Sequence, residues 1–209
     1  ANKPFLKEYQ QHYVDIRQHL LRQDIEGLLQ LAIKIRGRYQ NPKKSKKKLA
    51  RHPYLASILF SFISKEYPKT ALGEKANFLL CTVTARRING VDAEQLFTQF
   101  ISLYPNSLLI DDAYTELGLL KINGDPEAAK FYFNKVRQEY PEHNAADNAL
   151  YYLAKMEIAR GQYTRAIYYY AEIISHYGRN RLGKIARNDR AIMEGSYQAV
   201  RDRLTLKGL

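Results

Sequence analysis

One short mark recurs along the chain at almost constant spacing. A tyrosine followed by proline or glycine stands at Tyr67, Tyr104, Tyr140 and Tyr177, so that successive marks lie 37, 36 and 37 residues apart. A period in this range is typical of repeat proteins, in which each unit is one supersecondary motif that cannot bury its apolar face alone. The chain is therefore predicted to fold as a stack of similar units.

Each mark is preceded by the pattern of an α-helix. Eleven residues before every tyrosine stands an alanine, followed after four residues by an aromatic residue and after three more by a large apolar residue. This 4-3-4 spacing places all these positions on one stripe of a helix. Because proline cannot continue a helix, the second helix of each unit is predicted to end at the mark, with its alanine at a close helix contact. The four sets are Ala56, Phe60 and Ile63; Ala93, Phe97 and Phe100; Ala129, Phe133 and Val136; and Ala166, Tyr170 and Ile173.

A second pattern follows each mark and predicts the first helix of the next unit. Nine residues after the tyrosine comes alanine, thirteen after it leucine, and fourteen after it a small residue. Glycines then indicate the turn between the paired helices, and Asp125-Pro126 supplies an N-cap and a first-turn proline. The positions are Ala76, Ala113, Ala149 and Ala186; Leu80, Leu117 and Leu153, with Arg190 departing; Cys81, Gly118, Ala154 and Ala191; and Gly90, Gly124 and Gly161.

These motifs resemble the tetratricopeptide repeat over roughly residues 52–195. The clearest unit reads Leu153, Ala154, Gly161, Tyr163, Ala166, Tyr170, Ile173 and Gly178. The resemblance implies an all-α fold, a tetratricopeptide-like α-solenoid of antiparallel helix pairs in a right-handed superhelix. The Tyr-Pro marks and the long period are similar to the variant in bacterial envelope proteins, namely the outer-membrane assembly lipoproteins and the Tol-Pal-associated coordinator. Gly178 for proline, Arg190 for leucine and residues 115–123 in a loop one residue short depart from the pattern.

The flanks are less regular and predict three domain segments. Residues 5–21 and 24–39 have the apolar spacing of two amphipathic helices, so residues 1–51 are expected to form a helical cap with a basic connector. Residues 52–195 carry the repeats, and residues 196–209 are expected to end a capping helix. The second of the two N-terminal helices is apolar at Ile25, Leu28, Leu29, Ala32, Ile33 and Ile35.

The positive charge is concentrated in two segments. Of the formal net charge of +12, residues 32–52 contribute +9 and residues 179–190 contribute +4, so the remaining residues total −1. At 45% hydrophobic residues the chain can bury a core, and its apolar runs are far shorter than the ~20 residues that cross a membrane. A single cysteine rules out an internal disulfide framework.

No sequence pattern indicates a catalytic site, a metal site or a cofactor-binding site. His12 and His19 lack a metal-binding motif and are expected to be ordinary surface residues. Cys81 occupies a small-residue position, which favours packing over nucleophilic chemistry. Asp111 and Asp112 are adjacent on a helix, point about 100° apart, and are expected to form a solvated helix start. The chain is predicted to be no enzyme, with no cofactor and no small-molecule substrate.

The tyrosines and the first helices are the candidates for recognition. The chain holds 17 tyrosines; Tyr67, Tyr104, Tyr140, Tyr170 and Tyr177 occupy repeat positions and are predicted to lie mainly in the core. The resemblance implies that the first helices line a concave groove that binds a peptide or a partner domain. Its expected lining is Lys75, Phe78, Asp112, Thr115, Leu119, Asn148, Tyr151 and Lys155.

Two other functions stay open at the level of sequence. The connector lysines Lys43, Lys44, Lys46, Lys47 and Lys48 form a candidate anion-binding site for nucleic acid, anionic lipid or acidic polysaccharide. The chain is alternatively a regulatory or docking region of a larger enzyme. The envelope resemblance implies a periplasmic or envelope-associated protein, with the cytoplasm as the alternative.

Overall fold

The computed structural model describes residues 3–39, 52–85 and 91–206, and within these ranges the secondary structure is entirely helical. Ten helices follow one another in these described ranges, and the chain divides into two compact units, Ala1–Ser107 and Leu108–Leu209. The all-α prediction is confirmed. The helices are α1 (Lys3–Leu21), α2 (Ile25–Tyr39), α3 (His52–Glu66), α4 (Ala71–Ala85), α5 (Val91–Leu103), α6 (Ile110–Lys121), α7 (Pro126–Glu139), α8 (Ala146–Ala159), α9 (Tyr163–Tyr177) and α10 (Arg181–Leu206).

The first unit packs α1 to α5 in chain order, each helix against the next. The two N-terminal helices predicted from apolar spacing are present as α1 and α2, and Asp24 separates them. The Asp24 carboxylate accepts a hydrogen bond from the Gly27 backbone N–H at 2.8 Å and contacts His19 Nδ1 at 2.8 Å, which caps the start of α2. The hydrogen bond from Gly27 and then the bond to His19 lower the pKa of Asp24.

The second unit contains α6 to α10, and its turns follow the sequence signals. Asp125 caps α7 by accepting from the Ala128 backbone N–H at 3.1 Å, with Pro126 in the first turn. Gly161 lies at φ +72°, in the left-handed region that glycine adopts without strain, and it reverses the chain from α8 to α9. Consecutive helices pack as pairs, and α8 also contacts α6 and α10.

The alanine–aromatic–apolar stripe is buried in every repeat. All twelve of its side chains, from Ala56 to Ile173, are 0% exposed. The alanines nine residues after each tyrosine are equally buried. The predicted repeat register is therefore confirmed at each of these positions.

Close helix contact is most visible at Gly118. A Cβ placed on this residue would lie 2.5 Å from Cε1 of Phe133 on α7, which is closer than real Cβ contacts. The small residue lets α6 approach the Phe133 ring directly, so the pairing of α6 with α7 depends on it.

The marking tyrosines do not lie where the sequence placed them. Of the five expected in the core, only Tyr170 is buried; Tyr67, Tyr104, Tyr140 and Tyr177 are half-buried. These four stand at or just beyond the last turn of a second helix, and the rings of Tyr67 and Tyr177 pack against the cores of their units. Tyr170 lies within α9, where its hydroxyl donates to Asp189 Oδ2 at 3.1 Å and burial raises its pKa.

Among the helices that the structure describes, none combines the length and apolar character needed to cross a membrane.

Candidate binding face on the first helices of the second unit

Helix α8 is enclosed on most of its surface and open along one stripe. It contacts α6, α7, α9 and α10, and Leu150, Leu153 and Ala154 are buried in those contacts. Asn148 and Lys155 are exposed and Tyr151 is half-buried, at a spacing of three and four residues that places them on one side of the helix. Because neighbouring helices occupy its other sides, this stripe is the surface on which α8 can meet a ligand.

The Tyr151 ring is held by other aromatic rings. Its centroid lies 6.3 Å from that of buried Tyr170 and 6.0 Å from that of Tyr152 in an edge-on arrangement. Tyr152 in turn stacks on Phe133 at 5.3 Å. Tyr151 is thus a partly exposed ring on a rigid base, the kind of side chain that contributes most to protein interfaces.

Helix α6 presents the equivalent positions one repeat earlier, with one correction. Asp112 and Leu119, predicted for the groove, are half-buried and accessible. Thr115 is 7% exposed, so the prediction that it faces a ligand is wrong. It stands 36 residues before Tyr151 but has a short side chain, which stays below the surface that a tyrosine ring reaches.

Two residues that the sequence analysis did not select lie beside these positions. Tyr152 is half-buried next to Tyr151, and Glu116 is half-buried next to Thr115. Burial, and then the charge of Glu116, raise the pKa of Tyr152, so the phenol stays protonated at neutral pH. The repeat could have predicted both residues, because Glu116 and Tyr152 occupy the same repeat position, 36 residues apart.

We call Asp112, Leu119, Asn148, Tyr151 and Lys155 the first-helix face. At one end of this face, Lys155 borders a cavity of about 290 Å³ that Ile122, Met156 and Arg160 also line. The face therefore combines one aromatic anchor, one apolar side chain, an acidic and a basic side chain, an amide, and a cavity beside its lysine.

The remaining two predicted groove residues belong to the first unit. Lys75 is exposed on α4. Phe78 is half-buried and packs edge-on against Phe97 and Phe100, with centroids 6.1 Å and 5.5 Å away. Phe78 is therefore partly committed to the core of its own unit.

The adjacent aspartates are not a solvated helix start. Asp111 is 0% exposed, and its carboxylate accepts from the Ala145 backbone N–H at 3.1 Å and contacts His143 Nδ1 at 3.4 Å. Asp112 accepts from Asn144, and burial followed by the charge of Asp111 raises the pKa of Asp112. Both side chains reach the turn that precedes α8, and that contact buries Asp111.

This contact recurs in three successive repeats at the seventh residue after the tyrosine. Glu74 accepts from Ser107 at 2.5 Å, Asp111 binds the turn at Ala145, and Asp147 accepts from Asn180 Nδ2 at 2.6 Å. In each case an acid in the first turn of a first helix holds the turn that leads into the next first helix. We call this arrangement the acid clasp; the fourth position of the series is Lys184.

Cys81 and the histidines have structural positions. Cys81 is buried, its Sγ lies 3.6 Å from the Leu96 carbonyl oxygen, and burial raises the pKa of the thiol to about 12. His19 is bound to Asp24, whereas His12 is 4% exposed, so the prediction that His12 lies on the surface is wrong. His12 is one helical turn from Ile16, which packs on the core of the first unit.

Two predicted features remain without structural test. The connector lysines Lys43 to Lys48 and the turn residue Gly90 lie outside the described residues. Within the described ranges, His, Cys, Asp and Glu side chains form no group of three suited to a metal ion.

Residues 112–143, on α6 and α7, and residues 148–179, on α8 and α9, match the tetratricopeptide repeat family model. No curated protein matches the chain. The two matched segments are similar to tetratricopeptide repeats, and the described helices are consistent with an all-α, tetratricopeptide-like α-solenoid.

Proposed function

We propose that the chain is a non-catalytic interaction scaffold that binds a peptide or a partner domain on the first-helix face. Tetratricopeptide repeats generally mediate protein–protein interaction, and repeat stacks of this kind use the surface lined by their first helices. The observation that carries the proposal is the open stripe of α8, with Asn148, Tyr151 and Lys155, on a helix that is otherwise enclosed.

The chemistry of the face defines the ligand. Tyr151 offers a ring whose conformation is already restricted by Tyr152 and Tyr170, so a ligand that covers it loses little additional side-chain entropy. Lys155 attracts a carboxylate, and the Asn148 amide can pair with a peptide backbone. A segment with an apolar side chain for Tyr151 and an acidic group for Lys155 fits best.

A selected peptide tests this site. Peptides are selected from a random displayed library on the purified protein, and the affinity of the best binder is measured by fluorescence anisotropy. Tyr151→Ala is expected to weaken binding by about 2 kcal/mol, because an aromatic anchor carries much of an interface's energy. Lys155→Gln is expected to act mainly on the association rate.

Tyr168→Ala is the matched control, because Tyr168 is an exposed tyrosine on the second helix α9. It should leave the affinity unchanged. Equal affinities for wild type and Tyr151→Ala, or equal losses in the two tyrosine variants, would place the ligand elsewhere.

For its cellular role we propose assembly or coordination in the bacterial envelope. The support is the resemblance of the Tyr-Pro marks and of the 36 to 37 residue period to the envelope variant of the repeat. Fractionation of the native host, with the protein followed by antibody, tests the proposal. Recovery with the cytoplasmic markers would contradict it.

The alternative function is binding of an anionic polymer or surface by the connector lysines. Its support is the charge of +9 concentrated in residues 32–52. A third alternative, a docking region of a larger enzyme, predicts a catalytic domain elsewhere on a longer gene product.

A further inference from the structure

Two clefts occupy equivalent places in successive repeats of the second unit. The inner cleft, of about 130 Å³, is lined by Arg137, Pro141, Glu142 and Leu150 of one repeat and closed by α9 of the next. The residues 37 positions later, Ile174, Gly178, Arg179 and Arg187, all line the second cleft, of about 840 Å³. We call this second opening, at the turn between α9 and α10, the terminal cleft.

The inner cleft shows which side chains of the next repeat border such a cleft. Arg137 makes two hydrogen bonds of 2.8 Å to the Glu172 carboxylate of α9, and the Tyr177 hydroxyl donates to the Pro141 carbonyl. The last turns of the next second helix thus form one wall of the inner cleft and present a carboxylate and a tyrosine to it. This contact joins one repeat to the next.

In the described part of the chain, no helix closes the terminal cleft in the same way. Helix α10 runs without a break from Arg181 to Leu206, past residue 198, which is the position equivalent to the turn glycine Gly161. It therefore continues straight where α8 ends and the chain turns back into α9. The terminal cleft stays open on the side where α9 closes the inner one.

The charge at this edge is reversed relative to the inner repeat. Arg179 replaces Glu142, Lys184 replaces the clasp acid Asp147, and Arg187 replaces Leu150. All three cations line the terminal cleft, and of the described residues that line it none is acidic. The inner edge offers the cation Arg137 and the carboxylate of Asp147 to the next repeat, whereas the terminal edge offers only cations among its described residues.

One of these cations is held in place. Arg187 Nη2 donates to the Gly178 carbonyl at 2.7 Å. The equivalent carbonyl, that of Pro141, accepts from Tyr177 in the inner cleft, so Arg187 takes the bond that a stacked repeat would make. The guanidinium is thereby positioned at the cleft wall, with N–H groups left for a second acceptor.

We propose that the terminal cleft docks an acidic peptide segment of a partner protein, whose carboxylates pair with Arg179, Lys184 and Arg187. Charge complementarity supports this occupant, since three like charges around one cleft repel one another until an anion enters. The place is the one at which a neighbouring segment is bound in the inner repeat. The site is separate from the first-helix face, so it holds or fails independently of that face.

Fluorescence anisotropy with a short labelled peptide rich in Glu, and with the same peptide carrying Gln for every Glu, tests the proposal at about 0.15 M salt. The wild-type chain should bind only the Glu peptide. The variant Arg179→Gln, Lys184→Gln, Arg187→Gln should lose about tenfold or more in affinity, since each surface pair contributes modestly and three are removed.

The control variant is Lys34→Gln, Lys65→Gln, Lys69→Gln, which removes the same charge from exposed sites of the first unit. It should change the affinity less than about twofold, because none of these three lysines lines the terminal cleft. If the terminal triple variant melts early, Arg179→Gln with Lys184→Gln keeps the Arg187 bond to Gly178 and is expected to show the same direction of loss.

Three results would overturn the proposal. The first is no binding of the Glu peptide, which would mean that the three cations only make this end of the repeats polar and do not form a peptide site. The second is an equal loss in both triple variants, which would show non-specific attraction. The third is tighter binding of a single-stranded oligonucleotide of the same charge through Arg179, Lys184 and Arg187, which would make the ligand a nucleic acid.

Discussion

At the scale of single residues, the Phe133 ring restricts position 118 to a small side chain. Gly118 faces Phe133, and the equivalent positions hold Cys81 and Ala154, both buried. The size of the residue sets how closely the two helices of a pair approach. Stability at these positions should therefore depend on volume more than on helix propensity.

Gly118→Ala should destabilise the protein by about 1–2 kcal/mol, although alanine is the better helix former, because its Cβ would displace the Phe133 ring. Gly195→Ala is the control, since no atom lies within 4 Å of a Cβ at that helical position. It should stabilise by up to about 1 kcal/mol. Urea unfolding of both variants gives the comparison, and a gain in stability at Gly118 would show that the pair has room.

Ala129→Leu should cost about 1–3 kcal/mol, because the alanine is fully buried between paired helices and the added atoms have no space. Ala191→Leu, at an exposed position of α10, should be close to neutral. The two free energies of unfolding are compared in the same urea series. A neutral Ala129→Leu would mean that the repeat register is wrong.

The Cys81 thiol predicts a pH dependence. Its folded pKa of about 12 lies above its ordinary value, so its contribution to stability is complete at neutral pH and decreases as the pH rises from about 9 towards 12. Cys81→Ala should lose less stability than wild type over that window, and this difference isolates the thiol from the tyrosines. Identical pH profiles in chemical unfolding would indicate that the thiolate is accommodated in the folded chain.

At the scale of elements, the acid clasp joins one helix pair to the next. Asp147 in the first turn of α8 binds Asn180, which also caps α10 by accepting from the Gly183 backbone N–H at 2.8 Å. One side chain therefore sets both the start of α10 and its position against α8. Clasps of this kind fix the step between repeats with few atoms.

A double-mutant cycle of Asp147→Ala and Asn180→Ala should give a coupling energy of about 1–2 kcal/mol, because the hydrogen bond is charge-assisted and part-buried. The exposed pair Lys135 and Glu139 on α7, 2.6 Å apart, is the control and should give about 0.5 kcal/mol or less. Equal coupling in the two cycles would reduce the clasp to an ordinary surface contact.

At the scale of the whole molecule, charge distinguishes the proposed functions. Positive charge is concentrated in the connector and around the terminal cleft, whereas the first-helix face carries both signs. A ligand of the connector should therefore respond steeply to salt. A ligand held by the Tyr151 anchor should respond weakly.

If the connector binds a nucleic acid duplex, neutralising five phosphates predicts a log–log salt slope of about −4.5. Replacing Lys43, Lys44, Lys46, Lys47 and Lys48 by Gln should then flatten the slope without lowering the melting temperature, since exposed like charges contribute little to folding. A shallow slope, unchanged in the Gln variant, is the outcome expected of the scaffold. A steep slope that disappears in the variant would make the connector the functional site.

The sequence by itself determined the repeat and its buried stripe. Helical spacing alone decides that residues four and three apart share a face, and so Ala129, Phe133 and Val136 could be placed in the core without coordinates. The binding role of Tyr151 and Lys155 follows instead from the resemblance to the tetratricopeptide repeat, which implies that first helices line a groove, and it stays a prediction.

Only the tertiary structure decided which polar and aromatic side chains are buried. Asp111 is enclosed by the turn before α8, Thr115 is too short to reach the surface, and His12 is buried one helical turn before Ile16. Such burial depends on chain segments about one repeat away or on the length of a side chain, and a periodic pattern encodes neither. The same holds for the terminal cleft, whose openness follows from the straight course of α10 where the period requires a turn.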